Sequence, residues 1–139
     1  MKTKSLIMVT LMGTVVMFYR PTFACTGGTE VSIVNGATSV YCISNNTMNW
    51  WTAFSWCQAQ NYHLATWAEV CPNTGVSIVS SGSAGLDCSN RPNYTGRNLW
   101  VSQPYDSDKA YKFYLSTPYT ILSDTLARTS TNARALCKM

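Results

Sequence analysis

The chain has 139 residues, enough for one domain with a sizeable core, and its formal net charge is +4. Three of its ten basic residues precede residue 25, so the remainder is nearly neutral, with seven Lys or Arg against six Asp or Glu. This balance, without a cluster of Lys or Arg that would follow phosphates, excludes nucleic acid and anionic membranes as expected partners.

Residues 1–24 have the pattern of a secretory signal peptide. Two lysines precede an apolar run, Leu6–Tyr19, and the small residues Thr22 and Ala24 stand three and one positions before Cys25. We therefore expect cleavage before Cys25, a secreted or periplasmic product, and no membrane insertion after cleavage. As a helix, the run would span about 21 Å, short of a hydrocarbon core of about 30 Å. An uncleaved anchor and a lipid anchor on Cys25 are the alternatives.

All six cysteines lie after the expected signal peptide: Cys25, Cys42, Cys57, Cys71, Cys88 and Cys137. An even number in a secreted chain predicts three disulfides in an oxidising compartment. Six cysteines allow fifteen pairings, and the residues alone do not choose among them. A zinc site is not expected, because the chain has no Cys-x-x-Cys pair and His63 is its only histidine.

The first predicted elements are a β-hairpin and a helix. Two β-rich runs, Glu30–Val34 and Ser39–Ile43, flank an Asn-Gly turn signal. Apolar residues then recur at i, i+3, i+4 and i+7: Trp50, Ala53, Phe54 and Cys57. This spacing predicts a helix that is capped by Thr47 or Asn49, ends near Asn61 and turns these four side chains to the core.

A second, shorter helix is predicted next, followed by loops. The capping-box pattern from Thr66 to Glu69 predicts a helix of one or two turns that begins at Thr66. Residues 73–98 are rich in Gly, Ser, Asn and Pro, which is typical of long loops. A bridge between Cys71 and Cys88 would tie down the first half of this segment.

The last third of the chain is β-rich. The predicted strands are Leu99–Ser102, Ala110–Ser116, Ile121–Leu126 and Arg134–Lys138, and Gln103–Lys109 is a predicted turn. The sequence contains no internal repeat, no linker and no second domain. We therefore expect one α+β domain, with two short helices packed on antiparallel strands and stapled by disulfides.

Several short motifs follow one another along this chain: Met48-Asn49-Trp50-Trp51, Trp56-Cys57, Leu64-Ala65-Thr66 and Cys71-Pro72. A looser match is Cys88-Ser89-Asn90 ahead of Leu99-Trp100. With the order of the elements, these motifs resemble the C-type lectin-like family, in particular its small bacterial secreted members, over roughly residues 39–138. The resemblance implies the C-type lectin-like fold for residues 25–139.

The resemblance also implies a disulfide pairing: Cys57–Cys137, Cys25–Cys42 and, for the remaining two cysteines, Cys71–Cys88. In the family, a bond between the first helix and the last strand closes the domain. Here that bond would close a loop of about 80 residues and stabilise the domain by about 4 kcal/mol in the chain-entropy model.

The calcium motifs of the family's sugar-binding members are not intact. Those members use a Glu-Pro-Asn or Gln-Pro-Asp loop and a Trp-Asn-Asp strand motif, whereas this chain has Gln103-Pro104-Tyr105-Asp106 elsewhere and Leu99-Trp100-Val101-Ser102. Calcium takes six to eight oxygen ligands, usually with several carboxylates. Asp106 and Asp108 are the only close acidic pair, and we interpret them as turn residues. No metal or other cofactor is expected.

A catalytic role is not expected either. His63 lies between the two helices, where a structural or exposed role is typical, and no carboxylate pair suits glycoside hydrolysis.

The long polar loops favour recognition. The candidate ligand-binding residues are Tyr94, Arg97, Tyr105 and Tyr114. By analogy with the family, we expect the chain to be a secreted, non-catalytic, lectin-like recognition module for adhesion or carbohydrate binding. Its expected partner is a surface glycan or a cell-surface protein, bound without calcium. The alternative is a structural subunit of a bacterial pilus or envelope assembly.

Overall fold

The computed structural model describes residues 6–11, 14–19, 25–33, 36, 38–72, 88–116 and 120–139. Its elements in chain order are β1 (Leu6–Leu11), β2 (Thr14–Tyr19), β3 (Gly28–Ser32), β4 (Ser39–Met48), α1 (Trp50–Ala59), β5 (His63–Leu64), α2 (Trp67–Val70), β6 (Asn98–Pro104), β7 (Lys109–Ser116), β8 (Thr120–Ala127) and β9 (Ala133–Lys138). The fold is mixed α+β and consists mostly of sheet.

The described residues of the apolar run in the expected signal peptide form two strands. β1 and β2 pair antiparallel, from Leu6 opposite Tyr19 to Leu11 opposite Thr14. The Ile, Val and Thr residues of the run favour strands over helix, because branching at Cβ restricts the side chain in a helix. The two strands form a sheet of their own, separate from the larger sheet of seven strands. Cleavage before Cys25 stays a prediction.

The larger sheet has the strand order β3-β4-β9-β6-β7-β8, and β5 also pairs with β9. Its neighbouring strands are antiparallel except for β6 and β9, which are parallel. The expectation of antiparallel strands is therefore wrong for this one pair. β4 and β6 run in opposite directions, so a strand that lies between them must be parallel to one of the two.

β3 and β4 form the expected N-terminal hairpin, whose Asn-Gly turn lies partly outside the described residues. β4 continues to Met48, beyond the predicted end at Ile43, because its second half also pairs with β9. Thr47 is therefore a strand residue, and Asn49 caps α1 by accepting a hydrogen bond at 2.8 Å from the Thr52 N–H. α1 ends at Ala59, two residues before the predicted end.

The predicted capping box is present at the start of α2. The Thr66 hydroxyl accepts from the Glu69 N–H at 3.2 Å, and the Glu69 carboxylate accepts from the Thr66 N–H at 2.7 Å. Of the predicted loops, residues 73–87 lie outside the described residues. The part from Cys88 onward contains no helix, and β6 begins at Asn98.

The central strands carry apolar side chains on both faces of the sheet. One layer packs beneath α1 and includes Trp50, Ala53, Cys57, Trp100, Ala110, Ala135 and Cys137. The other packs beneath α2 and includes Tyr41, Trp67, Leu99, Tyr111, Phe113 and Leu136. Successive residues of a strand point to opposite faces, so a strand covered on both sides is apolar throughout. This explains the buried apolar run Ala135-Leu136-Cys137 in β9.

Three disulfides hold this arrangement, in the pairs that the resemblance implies: Cys25–Cys42, Cys57–Cys137 and Cys71–Cys88. The first two lie side by side beneath α1, because Cys42 and Cys137 are direct partners in β4 and β9. Three disulfides indicate an oxidising, extracellular or periplasmic environment. In the described ranges, no helix is both long enough and apolar enough to cross a membrane.

Candidate binding surface

Of the four candidate ligand-binding residues predicted from the sequence, Tyr105 and Tyr114 lie at opposite ends of β7. Tyr105 follows β6, is 48% exposed and packs edge-on against Tyr111, with ring centroids 5.5 Å apart. Tyr114 is 38% exposed and lies three residues beyond Tyr111 on the strand. An odd spacing in a strand reverses the side-chain direction, so Tyr111 and Tyr114 point to opposite faces.

Tyr94 and Arg97 lie at the Tyr114 end of the sheet. Tyr94 is half-buried and packs against the core layer beneath α2. Arg97 is exposed, and its backbone carbonyl accepts from the N–H of Leu115, the residue after Tyr114. Arg97 and Tyr114 are therefore near each other, Tyr94 is partly committed to packing, and Tyr105 lies at the other end of β7.

The most exposed large hydrophobic residue in the described part of the chain is Trp51, at 56%. Its neighbour Trp50 is buried and anchors the helix by donating its Nε1–H to the Val101 carbonyl at 2.8 Å. The two rings meet edge to face, with centroids 4.7 Å apart. Trp51 is thus an exposed aromatic ring on the first turn of a helix that is fixed to the sheet.

Arg128 lies against both tryptophans. Its guanidinium is 4.7 Å from the ring centroid of Trp50 and 5.4 Å from that of Trp51, within the range of a cation–π interaction. Its backbone carbonyl accepts from the Trp50 N–H at 3.0 Å, and its own N–H donates to the Asp108 carbonyl at 2.8 Å. One arginine therefore connects the start of α1 to the turn between β6 and β7.

The Arg128 side chain reaches the same turn. Nε donates to the Lys109 carbonyl at 3.2 Å, and Nη2 donates to the Asp106 carbonyl. Both donors and the backbone of Arg128 are held at once, so its guanidinium has little freedom to rotate. We call the group formed by Trp51, Arg128, Asp106, Asp108 and Lys109 the Trp51 surface.

Asp106 is a turn residue, as the sequence predicts, and its side chain stabilises the turn between β6 and β7. Its Oδ1 accepts from the Asp108 N–H at 2.8 Å and from the Lys109 N–H at 2.7 Å. The Asp108 N–H, the Lys109 N–H and the positive charges of Lys109 and Arg128 hold the pKa of the Asp106 carboxyl below its ordinary value. This carboxylate therefore stays ionised and supports the loop.

His63 is paired with Glu69. The His63 Nε2 and the Glu69 Oε1 are 2.8 Å apart, and the other carboxylate oxygen of Glu69 closes the capping box of α2. The His63 side chain is 57% exposed. The imidazole thus contacts a carboxylate that has a structural role, at the edge where β5 joins β9.

Trp51 and Arg128 are not among the candidate ligand-binding residues predicted from the sequence. Trp51, Ser55 and Gln58 follow the spacing i, i+4 and i+7, so they share one helical face, and all three are exposed. A tryptophan on an otherwise polar face was the signal that could have found Trp51. No comparable signal exists for Arg128, because its contacts join segments that are far apart in the sequence.

No three His, Cys, Asp or Glu side chains are grouped so that they could hold a metal ion in the part of the chain that the structure describes. Comparison of the chain with protein-family models, with curated proteins and with solved structures finds no match in any of the three.

Proposed function

We propose that the chain is a secreted, non-catalytic recognition module with a C-type lectin-like fold. Its ligand is a surface glycan or a cell-surface protein, and binding does not require calcium. Two features support the fold: the first helix is bonded to the last strand through Cys57–Cys137, and β9 lies beside β4, the second strand of the N-terminal hairpin. Such closure of the chain on itself is what the family resemblance implies.

The observation that carries the proposal is the exposure of Trp51 on a rigid frame. Burying a ring that is 56% exposed would remove a large apolar area from water, and the contacts with Trp50 and Arg128 already orient it. A preordered side chain loses little conformational entropy on binding. Tryptophan, tyrosine and arginine are also the residues most often found at energetic hot spots of interfaces.

Independence from calcium is supported by the bonding of Asp106. Its Oδ1 is occupied by two backbone N–H groups, and Asp108 is the one other carboxylate of that turn. Calcium sites usually combine several carboxylates with carbonyl oxygens. Absence of catalysis is supported by the commitment of the His63 partner, Glu69, to the helix cap.

A glycan-array screen tests this function. The oxidised protein, as released by an exporting host, is applied with and without EDTA. We expect selective binding that survives EDTA. Binding that EDTA abolishes would contradict calcium independence. If the folded protein binds no glycan on the array, a glycan ligand is refuted. Capture of cell-surface proteins by the wild type but not by Trp51→Ala would then favour a protein ligand.

The alternative role is that of a structural subunit of a pilus or envelope assembly. The same protein preparation distinguishes this role from that of a recognition module. A recognition module is expected to be released as a soluble monomer that binds its ligand reversibly. Stable co-purification with envelope proteins, in a stoichiometry unaffected by Trp51→Ala, would favour the structural subunit.

A further inference from the structure

The Trp51 surface offers hydrogen-bond donors and acceptors beside the exposed indole. Arginine has five N–H donors, and only those of Nε and Nη2 of Arg128 are used by carbonyls of the turn. Within the described residues, nothing accepts from Nη1. The Asp106 Oδ2 and the Asp108 carboxylate likewise accept no hydrogen bond there. Donors and acceptors without a partner among the described residues therefore lie on the turn and on the arginine that is bonded to it.

The charges of this surface cancel. Arg128 and Lys109 are positive, and Asp106 and Asp108 are negative. Three of these residues lie in the turn between β6 and β7 or at the start of β7, and Arg128 is hydrogen-bonded to that turn. An approaching ion would therefore meet positive and negative charges together. Electrostatic complementarity requires a surface of one sign to select a charged partner. The balance therefore favours an uncharged ligand over an acidic or a basic one.

We propose that the Trp51 surface binds a pyranose ring of a neutral oligosaccharide, an inference that rests on the recognition function proposed above. The C–H face of the sugar stacks on the Trp51 indole. Its hydroxyls, which both donate and accept, bond to the Arg128 Nη1 and to the Asp108 carboxylate. A ligand with one apolar face and a rim of hydroxyls matches an exposed ring beside groups of both hydrogen-bonding kinds.

The geometry also explains why the ring is held in place. The ring of Trp50 and the guanidinium of Arg128 contact Trp51, and Trp50 is itself hydrogen-bonded to the Val101 carbonyl in the sheet. Sugars gain little from any single contact because their hydroxyls exchange water for protein partners. A platform that is already oriented keeps more of that small gain, because it avoids the entropy of ordering the side chain.

The test is an NMR titration of the ¹⁵N-labelled, oxidised protein. The probes are cellotetraose, mannotetraose and chitotetraose, with tetragalacturonate and a chitosan tetramer as acidic and basic comparators. The Trp51 indole resonance is assigned from the spectrum of Trp51→Phe. We expect at least one neutral probe to shift this indole resonance and the amides of residues 106–109.

Variants then locate the site. Trp51→Ala should weaken binding of that probe at least about tenfold, the scale of one lost aromatic stacking contact. Trp51→Phe should retain most of the affinity, because a phenyl ring still stacks. Tyr114→Ala is the matched control, an exposed aromatic at the other end of β7, and should leave the affinity unchanged.

Three results would overturn the inference. Shifts confined to the Arg97 and Tyr114 end would refute the site while leaving a glycan-binding function intact. Binding of the charged probes alone would refute the neutral class. No binding of any probe would refute the sugar, and the array and protein-capture results on the same preparation would then show whether recognition itself survives.

Discussion

Gly28 lies where the N-terminal hairpin, the first disulfide and α1 meet. A Cβ at this position would come within 2.6 Å of both the Cys25 Sγ and the Ile43 carbonyl oxygen, and within 2.9 Å of the Trp56 ring. Real Cβ atoms do not approach that closely, so the neighbours would have to move. This glycine is therefore required by close packing, and its φ is not in the left-handed region.

We expect Gly28→Ala to lower the free energy of unfolding by about 2–3 kcal/mol, as overpacking does in a close-packed core. Gly96→Ala is the control. Gly96 has a φ of 75° with open space around it, so alanine there should cost only about 1 kcal/mol of left-handed backbone strain. Urea denaturation measures both losses. A Gly28→Ala protein as stable as Gly96→Ala would contradict the close packing.

Glu69 couples the start of α2 to pH. Burial raises the pKa of its carboxyl, but hydrogen bonds from the Thr66 N–H, His63 and the Thr66 hydroxyl outweigh burial and lower the pKa below its ordinary value. A carboxyl whose pKa is lower in the folded chain stabilises the fold above its unfolded pKa. That contribution is lost as the pH falls through the folded pKa.

We therefore expect the wild type to be more stable than Glu69→Gln at neutral pH and the difference to shrink as the pH falls below about 4. Urea denaturation of both proteins from neutral to acidic pH measures the difference. Thr66→Ser keeps the hydroxyl and should follow the wild-type profile. A gap between wild type and Glu69→Gln that stays constant at acidic pH would show that the Glu69 charge is not the stabilising feature.

At the scale of elements, one disulfide forms the covalent connection between α1 and the last strand. Cys57–Cys137 joins α1 to β9 across 80 residues, whereas Cys25–Cys42 closes only 17. Both lie in the same buried layer, so their removal by alanine leaves similar surroundings. They differ mainly in the length of chain that each one restrains in the unfolded state.

The chain-entropy model gives about 4 kcal/mol for the long bond and about 3 kcal/mol for the short one. We expect the Cys57→Ala, Cys137→Ala protein to be less stable than the Cys25→Ala, Cys42→Ala protein by about the difference. Denaturation gives the stabilities, and hydrogen exchange should show faster opening of α1 amides in the first double variant only. Equal stabilities would mean that local packing, and not loop closure, sets the contribution.

At the scale of the whole molecule, the sequence predicts those elements of the fold that depend on the spacing of apolar residues near one another in the chain. The periodicity of Trp50 and Cys57 predicted the buried face of α1, and the β-rich run Ala110–Ser116 predicted the strand β7. The position of β9 between β4 and β6 has no local signal, because it depends on which strands meet after the chain has folded. For the same reason, no local pattern predicts the contacts of Arg128 with the turn between β6 and β7.

The final prediction concerns residues 1–24. Apart from β1 and β2, which form their own two-stranded sheet, the strands and helices that the structure describes all follow Cys25. Removal of the apolar run therefore takes no strand from the larger sheet and no partner from any disulfide. We expect a chain exported by a bacterial host to begin at Cys25, to lack a lipid and to weigh six hydrogens less than its reduced form.

Intact-mass spectrometry before and after reduction measures these three features together. An Ala24→Leu variant, which replaces the small residue before the expected cleavage position, should accumulate uncleaved precursor. An added acyl mass on Cys25 would show the lipid anchor instead. The lipid would occupy the Cys25 Sγ, so Cys25 would not form a disulfide with Cys42. The N-terminal hairpin would then lose its disulfide.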